Sequence, residues 1–502
     1  MIKEARKYQA YYTKSTPIVD YMIEKLQIQP NDLILEPCGG DGVFIENILY
    51  NNEFAKIDVF ELNEISIKTL EKKFSNNSSI NIQYCDTLLN TDLIFNSAFG
   101  GTYDKIIANP PYGAWQDYGK RDILKKLYPG IYAKETYALF LYRCIELLKE
   151  GGLLSFIIPD TFLNLHSHTG LRKHLLTRSK IKELALFPSS FFPGVNFGYA
   201  NLSIITLQKC NSQHECFDNE FPIINNFSKV EQLTSIFDSS LNVKTYKQKD
   251  IYLNSDHAFF VSDNLSIAKM INSNELKIGD VANCVTGFYS GNDKQFLKVK
   301  SHSAKNGKNY EIINSNSINE NYKNTINILN GFSNTNHFVP IVKGGNIKYI
   351  KPEDWFMNWS EEAVSHYKTD KKARFQNQNF YFRFGIGVPM ISSSSITASL
   401  IENKLFDQSI VGVFPKDESL TFYLLGFFNS PTCNKLIRTI NPSTNNPANY
   451  LKKIPFLLPD TFIIQEVTKK VIEIINSIKS TGNYNFRVES ELHSIFKTIY
   501  GF

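Results

Sequence analysis

Over roughly the first 210 residues, short apolar runs alternate with helix-length segments, and this rhythm constrains the fold more than any other feature of the chain. Lys56 to Phe60, Lys105 to Ala108, Leu153 to Ile158 and Leu202 to Leu207 read as strands. Pro17 to Leu26, Val43 to Tyr50, Ile65 to Phe74 and Thr136 to Lys149 have helical spacing, and Gly151-Gly152 is expected to end the last of these. Strands separated by helices pair in parallel, so the pattern predicts a doubly wound α/β domain. With 502 residues, 42% of them hydrophobic, the chain has material for two to three cores of ordinary size.

The N-terminal stretch Met1 to Lys14 carries Lys3, Glu4, Arg6 and Lys7 and no apolar h-region, so no secretion signal is expected. The strongest apolar windows, such as Leu153 to Pro159, are far too short to span a bilayer. Seven cysteines at irregular spacings suit a reducing compartment, and a cytoplasmic location is the expectation. The net charge of +5 admits a nucleic-acid partner without demanding one. Cys210, His214 and Cys216 supply three metal-type ligands at cramped spacing with no evident fourth, so no metal is expected. His166-Ser167-His168 reads as a polar loop.

Between about residues 211 and 260 the sequence turns polar and weakly periodic, as in a linker or domain rim. The expected division is a domain over 1–255 and a second over 256–502. The second half holds short β-like runs rich in glycine and aromatics, and an asparagine-dense stretch from Asn314 to His337 that reads as an exposed loop. Thr461 to Ser480 and Glu489 to Tyr500 predict a closing helical hairpin that packs on the second domain.

Leu33-Ile34-Leu35-Glu36-Pro37-Cys38-Gly39-Gly40-Asp41-Gly42-Val43-Phe44 is a strand running through glycines into a helix, the place where an open α/β sheet binds its ligand. A dinucleotide fingerprint starting at Gly40 wants Gly or Ala where this chain has Ile45, which disfavours nicotinamide. The spacing Pro37-x-x-Gly40-x-Gly42-x-Phe44, with Glu36 ending the strand, resembles instead the first motif of S-adenosylmethionine-dependent methyltransferases. Glu61 ends the next strand, where a carboxylate accepts from ribose hydroxyls. Asp86 follows a third strand and is placed to accept from the cofactor's adenine amino group.

Asn109-Pro110-Pro111-Tyr112 follows the strand Asp104 to Ala108. The exocyclic amine of a nucleobase is a poor nucleophile because its lone pair is delocalised into the ring. Two acceptors aimed at its hydrogens localise that pair, and the Asn109 side-chain oxygen and the Pro110 carbonyl are the candidates. Proline fixes φ, so the pair Pro110-Pro111 holds the turn rigid, and Tyr112 offers a ring on which an extruded base stacks.

On these motifs, the first ~210 residues resemble the N6-adenine-specific DNA methyltransferases of restriction-modification systems, in the gamma arrangement. The resemblance implies a Rossmann-like class I methyltransferase domain followed by a mixed, β-rich target-recognition domain. It implies S-adenosyl-L-methionine as cofactor, double-stranded DNA as partner, and transfer of methyl to the N6 of a flipped-out adenine. It aligns the family's N-terminal cofactor motif with Tyr12 to Pro17, Thr16 and Pro17 matching best, and its second stacking aromatic with Phe192, near Phe191 and Phe197. Cys38 and Gly39 fall within the cofactor turn, and the resemblance counts Asn109 among the cofactor contacts as well as the catalytic residues. Gly287-x-x-x-Gly291, Val342 to Ile347 and Leu424 to Ser430 are similar to pieces of the family's recognition domains. A fused N-terminal nuclease is not expected, and a separate restriction endonuclease is left open.

Lys343, Lys348, Lys371, Lys372 and Arg374, with Lys351, Lys368 and Arg383 nearby, are the candidate phosphate contacts. Two alternatives stand beside this reading. One is methylation of RNA or of a protein glutamine, which the same tetrapeptide serves. The other is a non-catalytic DNA-specificity subunit that keeps a methylase-like fold.

Overall fold

The computed structural model describes residues 15–51, 56–93, 100–112, 118–192, 201–234, 240–261, 265–272, 276–392, 395–441 and 444–502. The chain divides into two units, Met1–Asp263 and Asn264–Phe502.

The first unit is built on a nine-stranded sheet in the order β3-β2-β1-β4-β5-β7-β6-β8-β9. Its strands are β1 (Leu33–Glu36), β2 (Lys56–Glu61), β3 (Ile80–Tyr84), β4 (Tyr103–Ala108), β5 (Leu148–Pro159), β6 (Ser179–Pro188), β7 (Asn201–Lys209), β8 (Glu220–Asn225) and β9 (Asn242–Lys247). From β3 across to β5 every pairing is parallel. Ile34, Leu35, Ile106, Ile107, Phe156, Ile157 and Ile158 are all buried, as a sheet covered on both faces requires. The order reverses between β1 and β4, so the chain leaves these neighbouring strands in opposite directions and opens a crevice at their C-terminal ends.

The sheet departs from the sequence pattern at three points. The sheet is not parallel throughout, because β7 runs antiparallel between β5 and β6. The region read as a linker contributes β8 and β9, which extend the sheet at one edge. Their pattern is muted because β9 alternates half-buried and exposed positions through polar Asn242, Lys244 and Lys247. Finally, the helix Thr136–Leu147 ends before the glycines, and Gly151-Gly152 lies inside β5, where the register with β4 shifts.

The second unit holds two four-stranded sheets, β10-β17-β14-β15 and β11-β13-β12-β16. Their strands are β10 (Ala282–Thr286), β11 (Leu297–Val299), β12 (Phe338–Val342), β13 (Trp355–Asn358), β14 (Phe384–Pro389), β15 (Ser399–Glu402), β16 (Leu405–Phe406) and β17 (Ile410–Pro415). The first sheet is antiparallel, and in the second only β12 and β16 run parallel. An aromatic core gathers Phe288, Trp359, Tyr367 and Tyr381. The asparagine-dense stretch forms short 3-10 turns at Ser315–Ser317, Tyr322–Asn324 and Ile328–Asn330. The expected hairpin is present as Thr461–Thr481 and Phe486–Tyr500, separated at Gly482, whose φ of 73° closes the first helix. It packs within this unit, with Tyr500 stacked on Phe427 at 5.2 Å and Phe496 set against Tyr423 at 5.3 Å. Taken with the first unit, this is a mixed α/β chain in which a large doubly wound sheet is followed by a β-rich domain.

Candidate active site

The turn after β1 is shaped by its glycines. Gly40 and Gly42 have φ of 57° and 84°, in the left-handed region that side chains rarely adopt. A Cβ on Gly42 would stand 2.8 Å from Phe74 Cε2 and 2.9 Å from Leu70 Cδ2. Gly42→Ala is therefore expected to cost about 2–4 kcal/mol from backbone strain and overpacking together. Chemical denaturation measures this, and a loss under about 0.5 kcal/mol would show the turn to be looser than described.

Backbone and side chains tie this turn to its neighbours. Glu61, at the end of β2, accepts from the Gly40 N–H at 2.7 Å and from the Leu62 and Asn63 N–H groups at 2.7 Å each. Thr87 donates its hydroxyl to the Pro37 carbonyl at 2.6 Å, tying the turn after β3 to the one after β1. Cys38 Sγ lies 3.6 Å from the Asn109 carbonyl oxygen, which joins the glycine turn to the tetrapeptide after β4. Glu36, Cys38, Gly40, Glu61 and Asn109 are thus brought together at the reversal of strand order.

Glu36 is the residue in this group whose chemistry is incomplete. It is 3% exposed, and its Oε2 has no hydrogen-bond partner. Burial, and then the nearby charges of Glu61 and Asp41, hold its carboxyl well above the usual carboxylate range. A buried orphan oxygen among like charges fits a site that receives a cation. S-adenosylmethionine carries an ammonium and a sulfonium, so the donor set and the glycine turn fit that group.

The tetrapeptide is more enclosed than expected. Tyr112 is 1% exposed, and its hydroxyl donates to Asn109 Oδ1 at 2.6 Å and lies 3.1 Å from the Ile157 carbonyl on β5. Its ring meets Tyr137 edge-on at 6.4 Å. Beneath it, the Tyr137 hydroxyl bonds Thr161 Oγ1 at 2.9 Å and His168 Nε2 at 3.0 Å. Burial, and secondarily Arg172, push His168 down to about 3, so it stays neutral. His168 is thus fully buried in the support of the tetrapeptide rather than part of a polar loop. No hydrogen bond to the Pro110 carbonyl occurs among the described residues.

The other expected residues are placed less directly. Asp86 accepts from Lys120 Nζ at 2.7 Å and from the Leu88 N–H at 3.1 Å, so both of its oxygens are engaged. Thr16 and Pro17 open the helix Thr16–Glu24, which packs on the helix Val43–Asn51 that follows the glycine turn. Tyr12, Thr13, Lys14 and Phe197 lie outside the described residues. Phe192 is 2% exposed and belongs to the apolar core, while Phe191 stacks on Phe187 at 5.8 Å. Sequence reasoning missed Lys120, Thr87 and Asp160. Asp160 follows β5, is held by Asn201 at 3.2 Å, and is pushed up to about 6 by burial. The rule that singled out acidic residues at strand ends would have found it.

In the second unit, two of the expected phosphate contacts are already paired. Lys343 is clamped by Asp293 at 2.8 Å and Asp407 at 3.0 Å, and Lys348 is bound to Glu489 at 2.8 Å. An ammonium held by its own carboxylates has little charge left for a phosphate. Lys371, Lys372 and Arg374 are exposed.

Residues 18–192 match the profile of the Eco57I restriction-modification methylase family. The chain is 27% identical over 307 residues to the type II methyltransferase M.HindII of Haemophilus influenzae, covering 56% of this chain and 54% of that protein. It is 27% identical over 258 residues to the type II methyltransferase M.AccI of Acinetobacter calcoaceticus, covering 49% and 46%. The chain thus spans about half the length of these curated relatives. In fold it is similar to the type IIL restriction-modification enzyme MmeI, solved in complex with DNA, with a TM-score of 0.62 at 14% identity over 100% of this chain and 77% of that one. Among the described residues no helix is long and apolar enough to cross a membrane. The glycine turn, the tetrapeptide beside it and the profile match over both lead to one conclusion: residues 18–192 are a domain of the Eco57I restriction-modification methylase family.

Proposed function

We propose that the chain is a site-specific DNA adenine methyltransferase that moves a methyl group from S-adenosylmethionine to the N6 amino group of an adenine turned out of duplex DNA. The observation that carries this reading is the contact of the glycine turn with the tetrapeptide, Cys38 Sγ to the Asn109 carbonyl at 3.6 Å, beside the unpartnered Glu36 oxygen.

When bound, S-adenosylmethionine supplies a methyl group on an electron-poor sulfur. Glu36, ionised, holds its ammonium, and the glycine turn lets the backbone pass close to it. Asn109 Oδ1 has two lone pairs, one of which receives the Tyr112 hydroxyl. That bond orients the amide, and in the reaction Asn109 Oδ1 and the Pro110 carbonyl accept the two hydrogens of the substrate amine. The amine is drawn toward a tetrahedral form whose lone pair is localised, and no covalent enzyme intermediate is required. Tyr112 and Phe192 are the rings that would face the base from its two sides. Both rings are buried, so entry of a base requires them to part from their present packing.

Asp86 and Glu61 enter as the cofactor's adenine and ribose acceptors, with Lys120 and the backbone N–H groups as competing partners. Thr16 and Pro17 enter as further cofactor contacts. The second unit is assigned target recognition, through Lys371, Lys372 and Arg374 on its surface. Neutralising all three is expected to lower the slope of log affinity against log salt by roughly 2–3, since each phosphate contact adds about 0.9. Titration of a fluorescent duplex across salt concentrations measures this, and an unchanged slope removes these residues from the interface. For the reaction, labelled methyl donor is offered with DNA, RNA and protein acceptors. Label in DNA alone supports the proposal, and label only in RNA or protein replaces it.

A further inference from the structure

The segment Val342 to Ile347, which methyl transfer leaves unused, lines a cavity of about 520 Å³ in the second unit. That volume is in the range of small-molecule sites. Trp355 and Tyr310 form an aromatic wall, meeting edge to face at 5.0 Å and 89°. The Gly344-Gly345 backbone lies along another side, and a Cβ on Gly345 would meet nothing within 4 Å.

The polar groups around this cavity are held in place. Lys343 bonds Asp293 and Asp407, and Ser409 Oγ accepts from the Gly344 N–H at 3.0 Å. Lys404, also lining the cavity, pairs with Glu353 at 2.8 Å and Glu402 at 3.1 Å. Lys351 differs from these lysines. It is half-buried and donates to the Lys343 carbonyl at 2.8 Å, and it has no carboxylate partner among the described residues. Burial holds its ammonium down at about 8, and the nearby charge of Asp407 offsets this only in part. Lys305 adds an exposed cation to the lining. An aromatic wall, an open glycine backbone and a half-buried amine with no direct carboxylate bond among the described residues suit a flat ring that carries a phosphate anion.

We propose that this cavity binds one nucleotide unit, with its base against Trp355 and Tyr310 and its phosphate at Lys351. The unit comes either from a free nucleotide or from a strand of DNA, and the experiment separates these sources. It is also independent of methyl transfer, which is read in its own assay. The full chain is irradiated with 5-iodo-2′-deoxyuridine 5′-monophosphate and, separately, with a duplex carrying an unpaired 5-iodouracil, and the attached peptide is identified by mass spectrometry. Attachment at Trp355 or Tyr310 is expected, reduced at least about tenfold by Lys351→Met and restored by Lys351→Arg. Circular dichroism verifies that both variants are folded. Labelling by the monophosphate assigns a free nucleotide, and labelling by the duplex alone assigns a DNA strand. Labelling elsewhere with both probes, or labelling indifferent to Lys351→Met, overturns the proposal.

Discussion

Replacing Asn109 with alanine lowers methyl transfer to DNA by about 10²–10³-fold, the loss expected when one preorganised polar contact to the reacting group is removed. The cofactor's dissociation constant stays within about threefold, a change under 1 kcal/mol. The separation follows from the geometry. The side-chain amide of Asn109 faces the Tyr112 hydroxyl, whereas its contact with the glycine turn runs through its backbone carbonyl, which alanine retains. Tyr112 keeps the Ile157 carbonyl as a partner, so the variant is destabilised by only about 1 kcal/mol. Single-turnover transfer beside calorimetric cofactor binding makes the comparison. Equal losses in both would mean that Asn109 shapes the cofactor site and does not act on the amine.

Glu36→Gln is expected to produce opposite changes in stability and binding. In the folded protein Glu36 keeps its proton above the ordinary carboxylate range, because burial and the charges of Glu61 and Asp41 disfavour ionisation. The unfolded chain loses that proton at the ordinary value. The folded state therefore binds more protons in this window, and its stability falls as pH rises from the ordinary carboxylate pKa to the raised one. Glutamine carries no titrating proton, so it removes that slope, and above the ordinary carboxylate pKa the variant is expected to be more stable than the parent. Cofactor binding responds in the other direction. A cationic ligand needs Glu36 ionised, so affinity rises with pH across the same window. The variant loses about 1.5–3 kcal/mol of binding, roughly 10- to 100-fold, together with that pH dependence. Denaturation and calorimetry at several pH values separate the two effects. A variant that binds as tightly as the parent would exclude Glu36 from the cofactor site.

Both predictions concern residues whose types and spacing were visible in the sequence. The strand Leu33–Glu36 and the glycine turn were legible because an apolar run meets residues that few other conformations accommodate. What stayed hidden was set by distant parts of the chain. Strand direction is not encoded locally, so the antiparallel course of β7 left no trace in Leu202 to Leu207. Lys343 reads as a surface cation until the fold brings Asp293 and Asp407 to it from either side in sequence. Tyr112 shows a subtler limit. Its partner Asn109 is only three residues away, yet the enclosing wall comes from Tyr137 and from β5. The tetrapeptide was legible as a motif, and its enclosure emerged only from the assembled sheet.

The most direct test is nucleoside analysis. DNA incubated with the purified chain and S-adenosylmethionine carrying an isotopically labelled methyl group is digested to nucleosides and separated by mass spectrometry, with the Asn109→Ala variant alongside. If the chain methylates adenine through Asn109, labelled N6-methyldeoxyadenosine is expected from the parent chain and at least about 10²-fold less from the variant. Label in a methylated cytosine, or equal label from both proteins, would contradict it.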